Sequence, residues 1–200
     1  MAEKNLDAAE LAELAMKDQA KLDELVESLS GSSRRTRQTA SSAIAIIAKS
    51  DPEKVIPHIS AVIDALNRPE AQTRWEVLDI LTTVIPYDSR VCDKALVGAE
   101  TALFDEESGI VRLAAMRFLC ALGATTEARS EKVWPLLDEA IQCYHGDLEF
   151  QDMLIAVIDF AAGKISPSVK QSLIERVTFD AENGKGVLKR RSQQIIDNAS

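Results

Sequence analysis

Two stretches of this chain copy one another at a distance that few folds accommodate. Glu53-Lys54-Val55-Ile56-Pro57 returns as Glu131-Lys132-Val133-Trp134-Pro135, 78 residues later, or two steps of 39. A second series interleaves with the first. Thr36-Arg37, Thr73-Arg74 and Val111-Arg112 follow at steps of 37 and 38, and Phe150-Gln151 and Leu188-Lys189 continue it at 39 and 38. A period of this length marks a supersecondary unit that cannot bury its apolar face alone and must stack on copies of itself.

The type of unit follows from side-chain spacing. Counting the first residue of each second-series copy as position zero, a small or apolar residue recurs at positions four and eight. The pairs are Ala40 and Ile44, Val77 and Leu81, Ala115 and Leu119, and Leu154 and Ile158; the last copy has Ser192 and Ile196. Positions zero, four, seven, eight and eleven share one face of a helix. Aromatics are only 4% of the chain, with eight glycines and six prolines, so little favours strands. Ser30-Gly31-Ser32, Asp51-Pro52 and Ser166-Pro167 read as breaks or helix starts. Gly123, Gly146 and Gly163 read as helix ends. The first helix of each pair is predicted at 19–29, 53–66, 89–104, 128–144 and 167–181. The second is predicted at 33–49, 69–86, 107–122, 147–162 and 185–198. Residues 3–16, with Leu6, Leu11 and Leu14, form an N-terminal capping helix whose acidic outer side suits the end of a stack. The expected organisation is one domain over 1–200, with the cap at 1–17 and about five repeats over 18–200.

Charge and cysteines narrow the function. The net charge is −9 with a pI near 4.8, which disfavours phosphate backbones as partners. Residues 1–30 carry eight acids and three bases, whereas 184–200 carry Lys185, Lys189, Arg190 and Arg191 against Asp197. Cys92, Cys120 and Cys143 are odd in number and include no CxxC, as expected of reduced thiols in a cytoplasmic protein. The start lacks the apolar run of a signal peptide, and no stretch approaches the roughly 18 apolar residues of a membrane span.

The run Asp105-Glu106-Glu107-Ser108-Gly109-Ile110-Val111-Arg112-Leu113-Ala114-Ala115-Met116-Arg117-Phe118-Leu119 resembles the second-helix signature of HEAT repeats. Thr36-Arg37 and Thr73-Arg74 are weaker copies; the fourth has Gln151 in place of arginine, and the fifth has Lys189 and Ser192. The resemblance covers about 19–198. It implies an all-α, right-handed α-α superhelix (a solenoid) of about five HEAT-type helix pairs, with the second helices lining a concave surface. It implies no particular activity.

Catalytic constellations are missing from the sequence. His58 and His145 lie 87 residues apart without neighbours at metal spacing, so no metal is expected. HEAT-like metal-dependent hydroxylases use repeated His-Glu pairs, which this chain lacks. There is no phosphate-cradling glycine loop and no GxSxG elbow, so neither a cofactor nor an enzyme is predicted. Cys120 falls within a predicted helix with no base beside it. The expected activity is non-catalytic binding of another protein along the concave face, as an adaptor, scaffold or regulatory subunit. Positions two, six and nine of the second helices point away from the core row. They define a partner-binding ladder of Trp75, Asp79, Leu113, Arg117 and Asp152, within a stripe that also takes in Cys120 and Ala156. Arg37, Arg74 and Arg112 each follow the first position and are read as structural arginines that bond loop carbonyls or acids of an adjacent repeat. The alternative is a nucleic-acid-binding or base-excision protein similar to HEAT-like DNA glycosylases. Trp75, Asp79 and Asp152 would serve it, but the strongly basic surface of those enzymes is missing.

Overall fold

A computed structural model describes residues 6–200. Residues 1–5, within the segment 1–17 assigned to the cap, lie outside the described residues. Among the described residues there are eleven α-helices, several short 3-10 turns and no strand. The cap is α1 (Ala8–Lys17). The first helices of the pairs are α2 (Gln19–Glu27), α4 (Ile59–Asp64), α6 (Leu96–Leu103), α8 (Glu127–Cys143) and α10 (Pro167–Asn183). The second helices are α3 (Arg34–Ser50), α5 (Ala71–Asp88), α7 (Gly109–Gly123), α9 (Phe150–Ala161) and α11 (Gly186–Ala199).

Local chemistry sets the starts. Asp7 forms a capping box with Glu10 on α1. Ser33, Ser108, Thr126 and Ser166 each accept a backbone N–H in the first turn of the helix that follows. Two first helices differ from expectation. The segment predicted as one helix at 53–66 begins with 3-10 turns at Pro52–Lys54 and Ile56–His58, and α4 is six residues long. Pro57 has no N–H to give and crowds the preceding turn. Likewise, 89–104 opens with a 3-10 turn at Val91–Ala95 before α6.

The chain divides into two compact units, one ending at Gly98 and one running Ala99–Ser200. In the first, α3 packs beside α5, with α1 against α2 and α3. Its core holds Leu22, Leu29, Ile44, Ile47, Leu78 and Leu81. In the second, α9 lies between α7 and α11, while α10 packs on α8 and α11. Its core holds Phe118, Leu119, Leu137, Phe150, Phe160 and Leu173.

The predicted core row is observed with one revision. Positions four, seven and eleven are buried in all five second helices, from Ala40, Ala43 and Ile47 in α3 to Ser192, Ile195 and Ala199 in α11. Position eight is buried as Ile44, Leu81 and Leu119, but Ile158 and Ile196 are only half-buried. At about 100° per residue, position eight is the outermost of the set, some 70° from the centre of the other three. It is buried only where a neighbour reaches around that side.

The glycine expectations divide too. Gly146 follows α8 with φ +94°, as a left-handed helix end does. Gly123 and Gly163 are not left-handed ends. They are glycines because the backbone is approached closely: a Cβ on Gly123 would lie 2.4 Å from Val133 Cγ2, and one on Gly163 would lie 2.5 Å from Ala124 Cβ.

Candidate functional site

Arg37 and Arg112 sit at joints between repeats. Arg37, near the start of α3, is half-buried and pairs with buried Glu70, the residue that precedes α5. Its Nε donates to Glu70 Oε2 at 3.1 Å, and Nη1 donates to the carbonyls of Gly31 and Ser32 at 2.7 and 2.9 Å. Hydrogen bonding to Arg37 holds the Glu70 carboxyl below the usual glutamate range. Arg112, on α7, donates to the Asp105 carbonyl at 3.0 Å. Its Nη2 lies 3.7 Å from Glu149 and 3.8 Å from Asp147, both in the next repeat, and its guanidinium sits 5.0 Å from the centre of the Tyr144 ring. Arg74 is half-buried at the corresponding place on α5.

Joints that the sequence did not signal lie on the first helices. Arg176 of α10 pairs with Asp138 of α8, with Nη2 to Oδ2 at 3.0 Å. His58 Nε2 lies 3.3 Å from Gln19 Nε2 and 3.5 Å from Asp23 of α2, and His145 Nε2 lies 3.1 Å from Asp180 of α10. Each histidine thus ties its segment to an acid of an adjacent repeat.

Glu70 supports a pH prediction. The folded chain holds this carboxyl below its unfolded value, so the pair's contribution is fully present above about pH 4.3. It is lost as pH falls through the lowered value. Glu70→Gln should therefore flatten the acid limb of stability against pH, measured as urea midpoints down to roughly pH 3. An acid limb as steep as the parent's would mean that Glu70 ionisation is not linked to folding.

The ladder residues lie on the side of the second helices away from the core row. In the first unit, Trp75 and Asp79 share the open side of α5, and both are half-buried. Beside them Glu76 is fully engaged: Ser41, Ser42 and Gln72 all donate to its carboxylate, at 2.5, 2.6 and 3.3 Å. In the second unit, Leu113 is half-buried, and Arg117 on α7 and Asp152 on α9 are exposed. The stripe is narrower than predicted, because Cys120 and Ala156 are buried. Both are small, and Cys120 lies near Asp159 of α9, which packs beside α7. Burial, and then the Asp159 carboxylate, push the Cys120 thiol far up, so it carries no thiolate at neutral pH. Cys92 is buried as well, and Cys143 is exposed. Among the described residues no group of three or more His, Cys, Asp or Glu is arranged to hold a metal ion. No described helix is long and apolar enough to cross a membrane.

No protein-family profile and no curated protein matches the sequence. Solved structures do. A designed armadillo repeat protein in complex with the peptide (KR)4 superposes with a TM-score of 0.79 at 16% identity, over 96% of this chain and 90% of that one. A mutant of Kap121p gives 0.76 at 16% identity, over 98% of this chain and 22% of that one. An archaeal HEAT-like repeats protein from Thermococcus onnurineus NA1 gives 0.57 at 15% identity, over 98% of both.

The chain has the armadillo/HEAT-type repeat fold. At such identities the likeness carries the fold and no activity. In an armadillo/HEAT-type stack each repeat touches only its neighbours, so a residue that joins two repeats bears on stability more than its single contacts suggest. Arg112 is such a residue, with its side chain only 14% exposed. Arg112→Ala should lower stability by about 1–3 kcal/mol, the cost of charged hydrogen bonds lost with their partners left behind. An unchanged melting temperature would contradict this role.

Proposed function

We propose that this chain is a non-catalytic protein-interaction module, an adaptor, scaffold or regulatory subunit of the cytoplasm. Its second helices hold a segment of another protein on the side away from their core row. In the first unit that side presents Trp75 and Asp79, and in the second unit, taken by itself, it presents Leu113, Arg117 and Asp152. One observation carries the reading: the same helices that bury positions four, seven and eleven leave an aromatic, an aliphatic and several charged side chains on the opposite side. Tryptophan and arginine are the residue types that most often anchor protein interfaces. The designed armadillo protein of similar fold, solved with a bound peptide, supports this use of such a scaffold.

His58 and His145 lie against aspartates, and Cys120 is held as a buried thiol. With a net charge of −9 the chain repels anionic partners and attracts cationic ones. The reading is tested by paired capture from native extract, with the parent chain and a Trp75→Ala/Arg117→Ala variant as baits. A partner retained by the parent and lost by the variant is expected. Identical sets of captured proteins would sink the assignment.

A further inference from the structure

The second unit has one edge that its own packing leaves uncovered. It is built from the loops that lead into α7 and α9, together with the end of α10. Contacts inside the unit bind these segments together. Arg112 bonds the Asp105 carbonyl in the first loop and reaches Asp147 and Glu149 in the second. Glu149 also fills the space beside Gly109, where a Cβ would fall 1.5 Å from its Oε1. Tyr144 Oη donates to the Leu103 carbonyl at 2.9 Å, at the end of α6. On the other side His145, whose ring lies 4.9 Å from that of buried Phe150, meets the Asp180 carboxylate at 3.1 Å. The edge is therefore a fastened surface made from three successive repeats.

Large apolar side chains stand out from it. Ile110 is 54% exposed, Leu148 is 96% exposed and Phe179 is 72% exposed. Ile110 and Leu148 occupy near-equivalent places, one and two residues ahead of positions zero at Val111 and Phe150. The row thus follows the repeat. Single exposed apolar residues are ordinary on a protein surface, but three on one fastened edge need a reason. The first unit has Arg35 and Gln72 at the places equivalent to Ile110, so the apolar row belongs to the second unit alone. Within four residues of each of the three, the exposed Asp, Glu, Lys and Arg side chains are all acids. Glu106 and Glu107 precede Ile110, Asp147 adjoins Leu148, and Glu182 follows Phe179, all exposed. The nearest cations are turned to other uses or lie past the row. Arg112 lies 3.8 Å from Asp147 and 3.7 Å from Glu149, Arg176 pairs with Asp138, Lys189 Nζ donates to the Glu182 carbonyl at 2.9 Å, and Lys185 comes only after α10 has ended.

We propose that this edge docks a cationic amphipathic segment of a partner protein. The apolar side chains of that segment seat on Ile110, Leu148 and Phe179, and its lysines or arginines face the flanking acids. The occupant is chosen by charge complementarity. Acids on both sides of an apolar row, on a chain of net charge −9, steer a basic segment in and repel an acidic one. The edge lies at the leading ends of the second helices, with Ile110 one turn ahead of Leu113 and Leu148 one turn ahead of Asp152, so it adjoins the ladder of the second unit; variants at Leu148 and Phe179 leave the ladder residues intact and test the edge by themselves.

The test uses three labelled peptides and the whole chain. One is a Leu/Lys amphipathic helix of about 18 residues, about five turns. The second is its Leu/Glu counterpart, and the third is a Ser/Lys peptide of equal charge. By fluorescence anisotropy at physiological salt, the Leu/Lys peptide should bind at least about tenfold more tightly than either control. Leu148→Ser/Phe179→Ser should remove about tenfold of that affinity, while Ile46→Ser, at an exposed apolar side chain of α3 in the first unit, leaves it unchanged. Ile110→Ser gives the same reading at a third position should the double variant disturb folding. Equal binding of the Leu/Lys and Leu/Glu peptides overturns the proposal, and so does full affinity in all the edge variants. A parent chain that sediments as a dimer while the double variant sediments as a monomer also overturns it, because the occupant is then a second copy.

Discussion

Phe160→Ala should cost the fold about 3–5 kcal/mol, the usual range for deleting a fully buried phenylalanine. The ring is 0% exposed in the core of the second unit. It lies so close to the α7 backbone that a Cβ on Gly123 would come within 2.9 Å of Phe160 Cε2. Two helices are therefore joined through one side chain seated on a bare stretch of backbone. Alanine at 160 leaves a hole that neither helix can close without losing the fit of α8, whose Val133 touches the same glycine. Equilibrium unfolding in urea measures the loss. A cost below about 1 kcal/mol would mean that the ring is not the joint described.

The second large effect distinguishes the two residues that share position eight. Leu119→Ala should cost about 2–5 kcal/mol, since Leu119 is 0% exposed. Ile158→Ala should cost clearly less, because Ile158 is only half-buried on α9. The cost of truncation follows the area returned to water and the cavity left behind, and both shrink at a half-exposed site. In a stack of repeats the Leu119 lesion is also expected to loosen one part of the chain before the rest, seen as a broadened transition. Equal costs at the two positions would show that position eight is core throughout and that the assigned register is off.

Much of this architecture is legible in the sequence. The period near 38 residues gave the number of helix pairs, and the second helices begin and end within three residues of their predicted bounds. That works because position seven or eleven of each copy is apolar regardless of what else changes, and Ser33, Ser108 and Ser166 stand where caps are needed. The first helices were less legible. Pro57 breaks its segment into 3-10 turns, yet Pro135 lies inside an unbroken α8. The proline alone does not decide; the packing around it does.

The candidate site was legible only in part. Helical periodicity turns Arg117 and Asp152 away from the core row, and both are exposed, but it treats all second helices as equally covered. It could not show that α7 and α9 approach closely enough to bury Cys120 and Ala156. The partners of the arginines were also hidden. Glu70 stands at a helix start, where a carboxylate would ordinarily cap its own helix, and instead serves Arg37 of the previous repeat. No spacing rule links residues 33 apart in sequence across a loop. Leu148 and Phe179 carried no signal either, because an apolar residue in a repeat is read first as core.

The open side of the second helices is the proposed binding surface. With the captured partner purified, titration calorimetry against the parent chain, Trp75→Ala and Arg117→Ala tests it directly. Each variant is predicted to weaken binding by at least about 1–2 kcal/mol while its melting temperature stays near the parent's. Partner affinity equal to the parent's in both variants would contradict the claim.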